Sequence, residues 1–145
     1  MYLLDTNIVS MLDPRRHAHA PALIDWLVRN GASIFLSVMT ITEMDAEVLK
    51  LRRQGKGDRA DEVAVLVSAI LTEFADRVLP VDVETARHVA HLVEATHRKT
   101  VELPDLIIAA TAARHGLTIL TRNLKDLGRL GVPALDPLVQ LPPDV

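Results

Sequence analysis

Cysteine is absent from the 145 residues, which excludes disulfide frameworks, thiolate metal sites and cysteine nucleophiles and makes a reducing cytoplasm the expected location. Aromatic residues are scarce: Tyr2, Trp26, Phe35 and Phe74 make up 3% of the chain, too few for a platform on which unpaired bases stack. No apolar run approaches the ~18 residues of a membrane span. The apolar opening is broken by Asp5 and has neither a basic start nor a small-residue cleavage site, so it does not read as a secretory signal. Positive charge is not in surplus either, since 16 Lys and Arg stand against 19 Asp and Glu for a net charge of −3. On its face that balance argues against a uniformly basic nucleic-acid-binding surface. Apolar residues at 49% and charged ones at 24% are the proportions of a globular protein. With no repeat, low-complexity tract or linker, one domain over residues 1–145 is expected, with a Pro-rich tail from about residue 133 hugging the surface.

Short β-like runs alternate with helical patterns along the chain. Tyr2 to Leu4 predicts a strand, followed by a turn at Asp5-Thr6-Asn7 and a short helix through Ile8 and Leu12. A second helix opens at Pro21 and closes at Asn30-Gly31, and Ser33 to Val38 predicts a buried strand. Thr40 and Glu43 have capping-box spacing, which predicts a helix from there to about Arg53. Beyond a turn at Gly55-Lys56-Gly57, Asp58 to Arg77 predicts one long amphipathic helix, Val78 to Val81 a strand interrupted by Pro80, and Asp82 or Glu84 the start of a helix to about Lys99. Pro104 in the first turn and Gly116 at the C-cap frame a very apolar helix. Leu117 to Leu120 is a strand, followed by a short helical segment ending at Gly128 or Gly131. This alternation predicts an α/β fold with a parallel sheet covered by helices on both faces.

In such a sheet, ligands bind outside the carboxyl ends of the strands, where the strand order reverses. Asp5, Glu43, Asp105, Asn123 and Asp126 all fall at that edge of the predicted sheet. An acid in a first helical turn is commonplace, because it complements the helix dipole by about 0.3–1 kcal/mol. Asp5 is different: a carboxylate at the end of a buried strand is costly unless paired or metal-bound, and no basic residue lies near it in sequence. Converging acids need a compensating cation, and hard oxygen donors without Cys or clustered His point to Mg²⁺ or Mn²⁺ rather than zinc. His88, His91 and His97 share a helical region but lack a carboxylate partner at zinc-site spacing.

Four segments, MYLLDTNIVS, SVMTITEM, PDLIIAATAARHG and LTILTRNLKDL, together resemble a PIN domain of the VapC/FitB toxin type, over residues 2 to about 137. The resemblance implies a three-layer α/β/α sandwich around a parallel sheet. It implies a metal-dependent endoribonuclease toxin of a type II toxin–antitoxin pair, in which Asp5, Glu43, Asp105 and Asp126 hold Mg²⁺ or Mn²⁺. Thr6, Asn7, Thr121 and Asn123 would support them. Many PIN domains carry an acid where this chain has Asn123, which makes Asp126 the expected fourth acid. Asp45-Ala46-Glu47 replaces a small or Gly-containing segment, and Leu127 stands where Phe is common. Glu47 either reaches the site edge or belongs to a solvated helix face. The resemblance also implies a homodimer, a VapB-like antitoxin partner forming a heterotetramer or larger assembly, and contact with operator DNA through the antitoxin alone.

Carboxylate-held metal ions can activate water and neutralise phosphoryl charge, and no Ser neighbourhood has a matched His and acid for nucleophilic catalysis. Twelve of the 16 basic residues are Arg, the side chain suited to bidentate phosphate contact. They cluster at Arg15-Arg16, at Arg52-Arg53-Lys56-Arg59, at Arg98-Lys99 and at Arg122-Lys125-Arg129. Arg122 and Lys125 flank the expected site and are the candidates for the RNA backbone. Setting aside the four site acids leaves 15 acids against the 16 bases, so the acidic excess is largely the site itself. Two other readings remain: a haloacid-dehalogenase-type phosphatase, whose motif needs an acid where Asn7 stands, and a catalytically weak PIN module serving mainly as the dimeric partner in a DNA-binding repressor complex.

Overall fold

Three apolar residues, each buried, form strand β1 (Tyr2–Leu4), the pattern of a strand enclosed within a parallel sheet. In the computed structural model, which describes residues 1–97 and 100–145, β1 lies between β2 (Ile34–Ser37) and β4 (Thr118–Leu120), parallel to both. Leu4 is in register with Leu36 on one side and Leu120 on the other. β3 (Val78–Leu79) and β5 (Ala134–Leu135) complete an all-parallel sheet of order β3-β2-β1-β4-β5. The chain therefore builds outward from β1 to β3, then returns to the other side of β1 for β4 and β5. Strand order reverses between β1 and β4.

Alternation along β1 divides the apolar residues into two cores. Tyr2 and Leu4 join Ile34, Leu36 and Leu120 against α1 (Thr6–Val9), α2 (Pro21–Arg29), α3 (Val38–Arg53) and α4 (Gly57–Glu73), through Ile8, Trp26, Met44 and Val67 among others. Leu3 and Ile119 face the opposite way, onto Leu106, Ile108 and Ala109 of α6 (Leu103–His115) and Leu127 of α7 (Leu124–Leu127). Val89 and Leu92 of α5 (Val83–Ala95) pack on this second core. Burying each such Leu or Ile contributes roughly 1.5–3 kcal/mol. The expected three-layer α/β/α sandwich is thus present. Trp26 meets Tyr2 edge-on, with ring centroids 5.3 Å apart. No helix among the described residues is long and apolar enough to cross a membrane.

Several boundaries differ from expectation for identifiable reasons. No free turn separates β1 from α1: Asp5 caps the helix directly, accepting a hydrogen bond from the Thr6 amide. α3 starts before the Thr40–Glu43 capping box, because Ser37 at the end of β2 accepts from the Met39 amide and is the true N-cap. Thr40 is consequently a buried residue inside the helix. α4 ends at Glu73, short of Arg77, whose guanidinium turns back to donate to the Gly31 and Glu73 carbonyls and lies 4.6 Å over the Phe74 ring. β3 stops before Pro80, which has no amide to donate. α5 is capped by Asp82 and ends at Ala95; Arg98 and Lys99, in the expected extension of this helix, lie outside the described residues. Gly116 takes the left-handed conformation (φ 63°) that closes α6, as expected.

The Pro-rich segment was expected only to hug the surface, yet Ala134–Leu135 adds an edge strand to the sheet. The Pro133 and Leu135 carbonyls accept from the Ile119 and Thr121 amides at 2.8 and 2.9 Å. Farther on, the Asp144 carboxylate and the Val145 amide pair with the side chain of buried Asn30. A chain ending at Val132 should lose about 2–6 kcal/mol, from four such bonds at roughly 0.5–1.5 kcal/mol net each. Urea unfolding of the truncated and full-length proteins measures this; equal midpoints and slopes would show the segment to be a passive tail.

Candidate active site

The strand reversal brings the ends of β1 and β4 side by side, and Asp5 and Thr121 are the residues that follow them. The Asp5 amide donates to the Leu120 carbonyl at 3.0 Å, which holds the two strand ends in register. Asp5 is 4% exposed and Thr121 fully buried. Three donors converge on the Asp5 carboxylate. The Thr6 amide reaches Oδ1 at 2.7 Å, while Asn7 Nδ2 and Thr121 Oγ1 reach Oδ2 at 2.7 and 2.6 Å. Burial pushes the Asp5 carboxyl above its ordinary range, against the pull of these three hydrogen bonds.

The other predicted residues gather around this one. Thr6 Oγ1 donates to Glu43 Oε2 and lies 3.3 Å from Thr40 Oγ1, joining α1 to the second turn of α3. Thr121 Oγ1 accepts from the Asn123 amide at 2.8 Å, and Asn123 Nδ2 donates to Asp105 at 3.3 Å and to Asp126 at 3.1 Å. Pro104 and Asp105 occupy the first turn of α6, so the dipole of that helix favours an anionic side chain there. Asp5, Thr6, Asn7, Glu43, Asp105 and Asn123 line one cleft of about 510 Å³. Asp126 is tied in through Asn123 but borders a separate depression with Lys125 and Arg129. Glu47, at the cleft rim, also pairs with Lys50 at 3.4 Å, so it both reaches the site edge and belongs to a solvated helix face.

Arg122 approaches the site by its backbone: its amide donates to Asn7 Oδ1 at 3.2 Å, and the residue is exposed. The cleft instead recruits Arg16 and Arg59, together with Asp13, from segments not singled out for the site. Asp13 is 7% exposed and forms an ion pair with Arg59, which also holds Glu62 at 2.9 Å. Burial pushes the Asp13 carboxyl up, but the hydrogen bond from Arg59, the Arg15 amide and the nearby Arg charges hold it below the ordinary range. Asp13 and Arg59 are 46 residues apart, so no local spacing signals the pair.

Among the described residues, none of Asp5, Glu43, Asp105 and Asp126 has a Lys, Arg or His within ion-pair distance. Asp105 registers the result. Its carboxyl is pushed up to about 6, first by desolvation and then by the charges of Asp5, Asp126, Glu43 and Glu102. Uncompensated hard oxygen donors around a cleft fit Mg²⁺ or Mn²⁺ in charge and donor type. They do not stand as a ready-made cation group, for no three His, Asp or Glu side chains among the described residues form one. The Asn123 amide instead joins Asp105 to Asp126, and the Thr6 hydroxyl occupies Glu43.

Fold and cleft together define a doubly wound α/β protein with an acidic site at the switch point of its sheet. A family model described as PIN domain matches residues 2–131. Toxin FitB of Neisseria gonorrhoeae is 34% identical over 140 residues, covering 94% of this chain and 98% of FitB. VapC ribonuclease Y4jK of Sinorhizobium fredii is 29% identical over 147 residues, covering 94% of this chain and 97% of that protein. The solved structure of FitAB bound to an IR36 DNA fragment matches with a TM-score of 0.73 at 31% identity, covering 95% of this chain and 96% of that one. The chain belongs to the PIN domain family, as its motifs implied.

The raised Asp105 value has a consequence for stability. An acid whose folded value exceeds its unfolded one binds more protons in the native state. Its penalty is therefore absent below the ordinary value of 3.8, grows as pH rises toward about 6, and is complete above that. Asp105→Asn removes the repulsion while keeping an acceptor for Asn123. In metal-free protein it should raise the thermal midpoint by a few degrees at about pH 7.5 and by clearly less at about pH 4.5. Calorimetry at the two pH values tests this, and equal shifts would contradict the repulsion.

Proposed function

We propose that this chain is a metal-dependent endoribonuclease toxin of a type II toxin–antitoxin pair, acting in the cytoplasm and restrained by a VapB-like antitoxin. Asp5, Glu43, Asp105 and Asp126 are the acids of its site. The observation that carries the reading is the convergence of Asp5, Glu43 and Asp105 on one cleft, with Asp126 tied in through Asn123, none of the four having a basic partner among the described residues; the raised Asp105 carboxyl agrees with it. A cluster of acids maintained against its own repulsion is costly unless a cation completes it. The names of the relatives, a toxin and a VapC ribonuclease, agree with this. The DNA-bound FitAB neighbour supports an antitoxin partner that carries the assembly to operator DNA. A homodimer is the assembly expected of the toxin.

Asp5, Asp105, Glu43 and Asp126 would hold Mg²⁺ or Mn²⁺. The bound ion supplies charge neutralisation at the phosphoryl oxygens and a more acidic water. The chain's own contribution is placement. Thr6, Asn7 and Thr121 spend three donors on Asp5, fixing its orientation and favouring its ionised form. Thr6 ties Glu43 to the same turn, and Asn123, itself positioned by Thr121, holds Asp105 and Asp126 through one amide. Above about pH 6 the Asp105 carboxyl is ionised beside the other acids, a charge that a bound cation would offset.

One observation favours a second reading, a catalytically weak PIN module serving mainly as the dimeric partner in a DNA-binding repressor complex. The acids do not form a ready-made cation group among the described residues. Induced expression without antitoxin separates the two. The nuclease reading expects growth arrest with discrete new RNA ends, both removed by Asp5→Asn. In purified protein, Asp5→Asn or Asp105→Asn should lower cleavage at least about a hundredfold, and chelation should abolish it until Mg²⁺ or Mn²⁺ is restored. Harmless expression of a folded chain that leaves RNA intact would establish the module instead.

A further inference from the structure

The cleft has a second wall that the acids do not explain. Beyond Asp5, Glu43 and Asp105 it is lined by Arg16 and Arg59 and by apolar residues that include Leu51 and Val63. The two arginines differ in what they have left to offer. The Arg59 guanidinium is committed to Asp13 and Glu62. Arg16 forms no ion pair among the described residues; its Nη1 donates to Ser10 Oγ at 3.0 Å. A guanidinium carries five N–H donors in a planar fork, so most of its hydrogen-bonding capacity is unspent.

Its position is set by the site. Ser10 Oγ donates to the Asn7 carbonyl at 3.0 Å, and Asn7 Nδ2 donates to the Asp5 carboxylate at 2.7 Å. Arg16 is therefore linked to the central acid through two residues of the α1 turn and the short helical turn that follows it, Ser10–Leu12. A cation beside an acid site, yet not consumed by its acids, is placed to hold an anion that must approach them. Resting on the nuclease reading above, we infer that Arg16 binds a backbone phosphate of the RNA strand and so positions the chain in the cleft. The candidates read from the sequence, Arg122 and Lys125, are exposed, as Arg16 is, but neither lines this cleft.

Binding of a labelled single-stranded RNA of mixed sequence tests the assignment. It is measured across a salt series in the Asp105→Asn background, where cleavage is suppressed. Adding Arg16→Gln should weaken binding about tenfold and reduce the log–log salt slope by about 0.7, the contribution of one phosphate contact on a single strand. Arg16→Lys should retain the slope, since the charge remains. Arg15→Gln should leave it unchanged, because Arg15 pairs with Glu62 and lies in a neighbouring depression rather than this cleft. With wild-type residue 105, Arg16→Gln should raise KM far more than it lowers kcat. An unchanged slope in Arg16→Gln, with RNA bound by Asp105→Asn and cleaved by the wild-type protein, overturns the inference and leaves the nuclease reading standing. A fall in kcat at constant RNA affinity overturns it too, since it assigns Arg16 to site geometry. Absence of any RNA binding or cleavage by these two proteins overturns both.

Discussion

A buried carboxylate held by three donors at the reversal of a parallel sheet organises this protein. Asp5 ends the central strand, and the donors that make its burial tolerable come from the helix it caps and from the residue that ends the neighbouring strand. Because Thr121 follows β4, which pairs with β1 across a long stretch of chain that builds out to β3 and returns, that bond exists only when β1 and β4 are paired. The site and the fold therefore share a dependency. Even the edge strand β5 takes part, since its Leu135 carbonyl accepts from the Thr121 amide.

Electrostatics then separate the cleft into two territories. On one side, acids stand without a basic partner among the described residues, and burial and the neighbouring acids give Asp105 a raised affinity for protons. On the other, Asp13 and Arg59 form an ion pair, and Arg16 lines the cleft with no ion pair among the described residues. The overall charge of −3 says nothing of this separation. A phosphate chain meets local fields, which the fold creates by sorting charges that are mixed along the sequence.

Most elements were legible because their signals are local. Pro104 and Gly116 bracket α6, Pro21 opens α2, and short runs rich in apolar residues mark β1 and β4. What was missed depended on distant partners or on a competing cap. Ala134–Leu135 has too little length to announce a strand and becomes one by docking on β4. The Thr40–Glu43 spacing imitates a capping box, but Ser37, positioned by the end of β2, takes the amide first. Among the candidate site residues, Asp5, Asp105 and Asn123 were readable from their places after strands and in a first helical turn, and Glu43, expected in a first turn, lies in the second turn of α3 but lines the same cleft. Arg16 was not, because an Arg-Arg pair after a proline reads as surface until the fold turns one of its members toward the acids.

The sequence by itself determined the alternation of strands and helices as far as α7, the two-sided burial of the sheet, and the absence of any thiolate donor. Apolar periodicity, cap residues and composition are properties of neighbours along the chain, and they can be read there. Only the tertiary structure decided which acids share a cleft, that Asn123 bridges Asp105 and Asp126, and which arginine lines the cleft without an ion pair among the described residues. Those outcomes depend on distances between residues up to 116 positions apart. The energies of ion pairing and desolvation take their values only when such residues are brought within a few ångströms of each other.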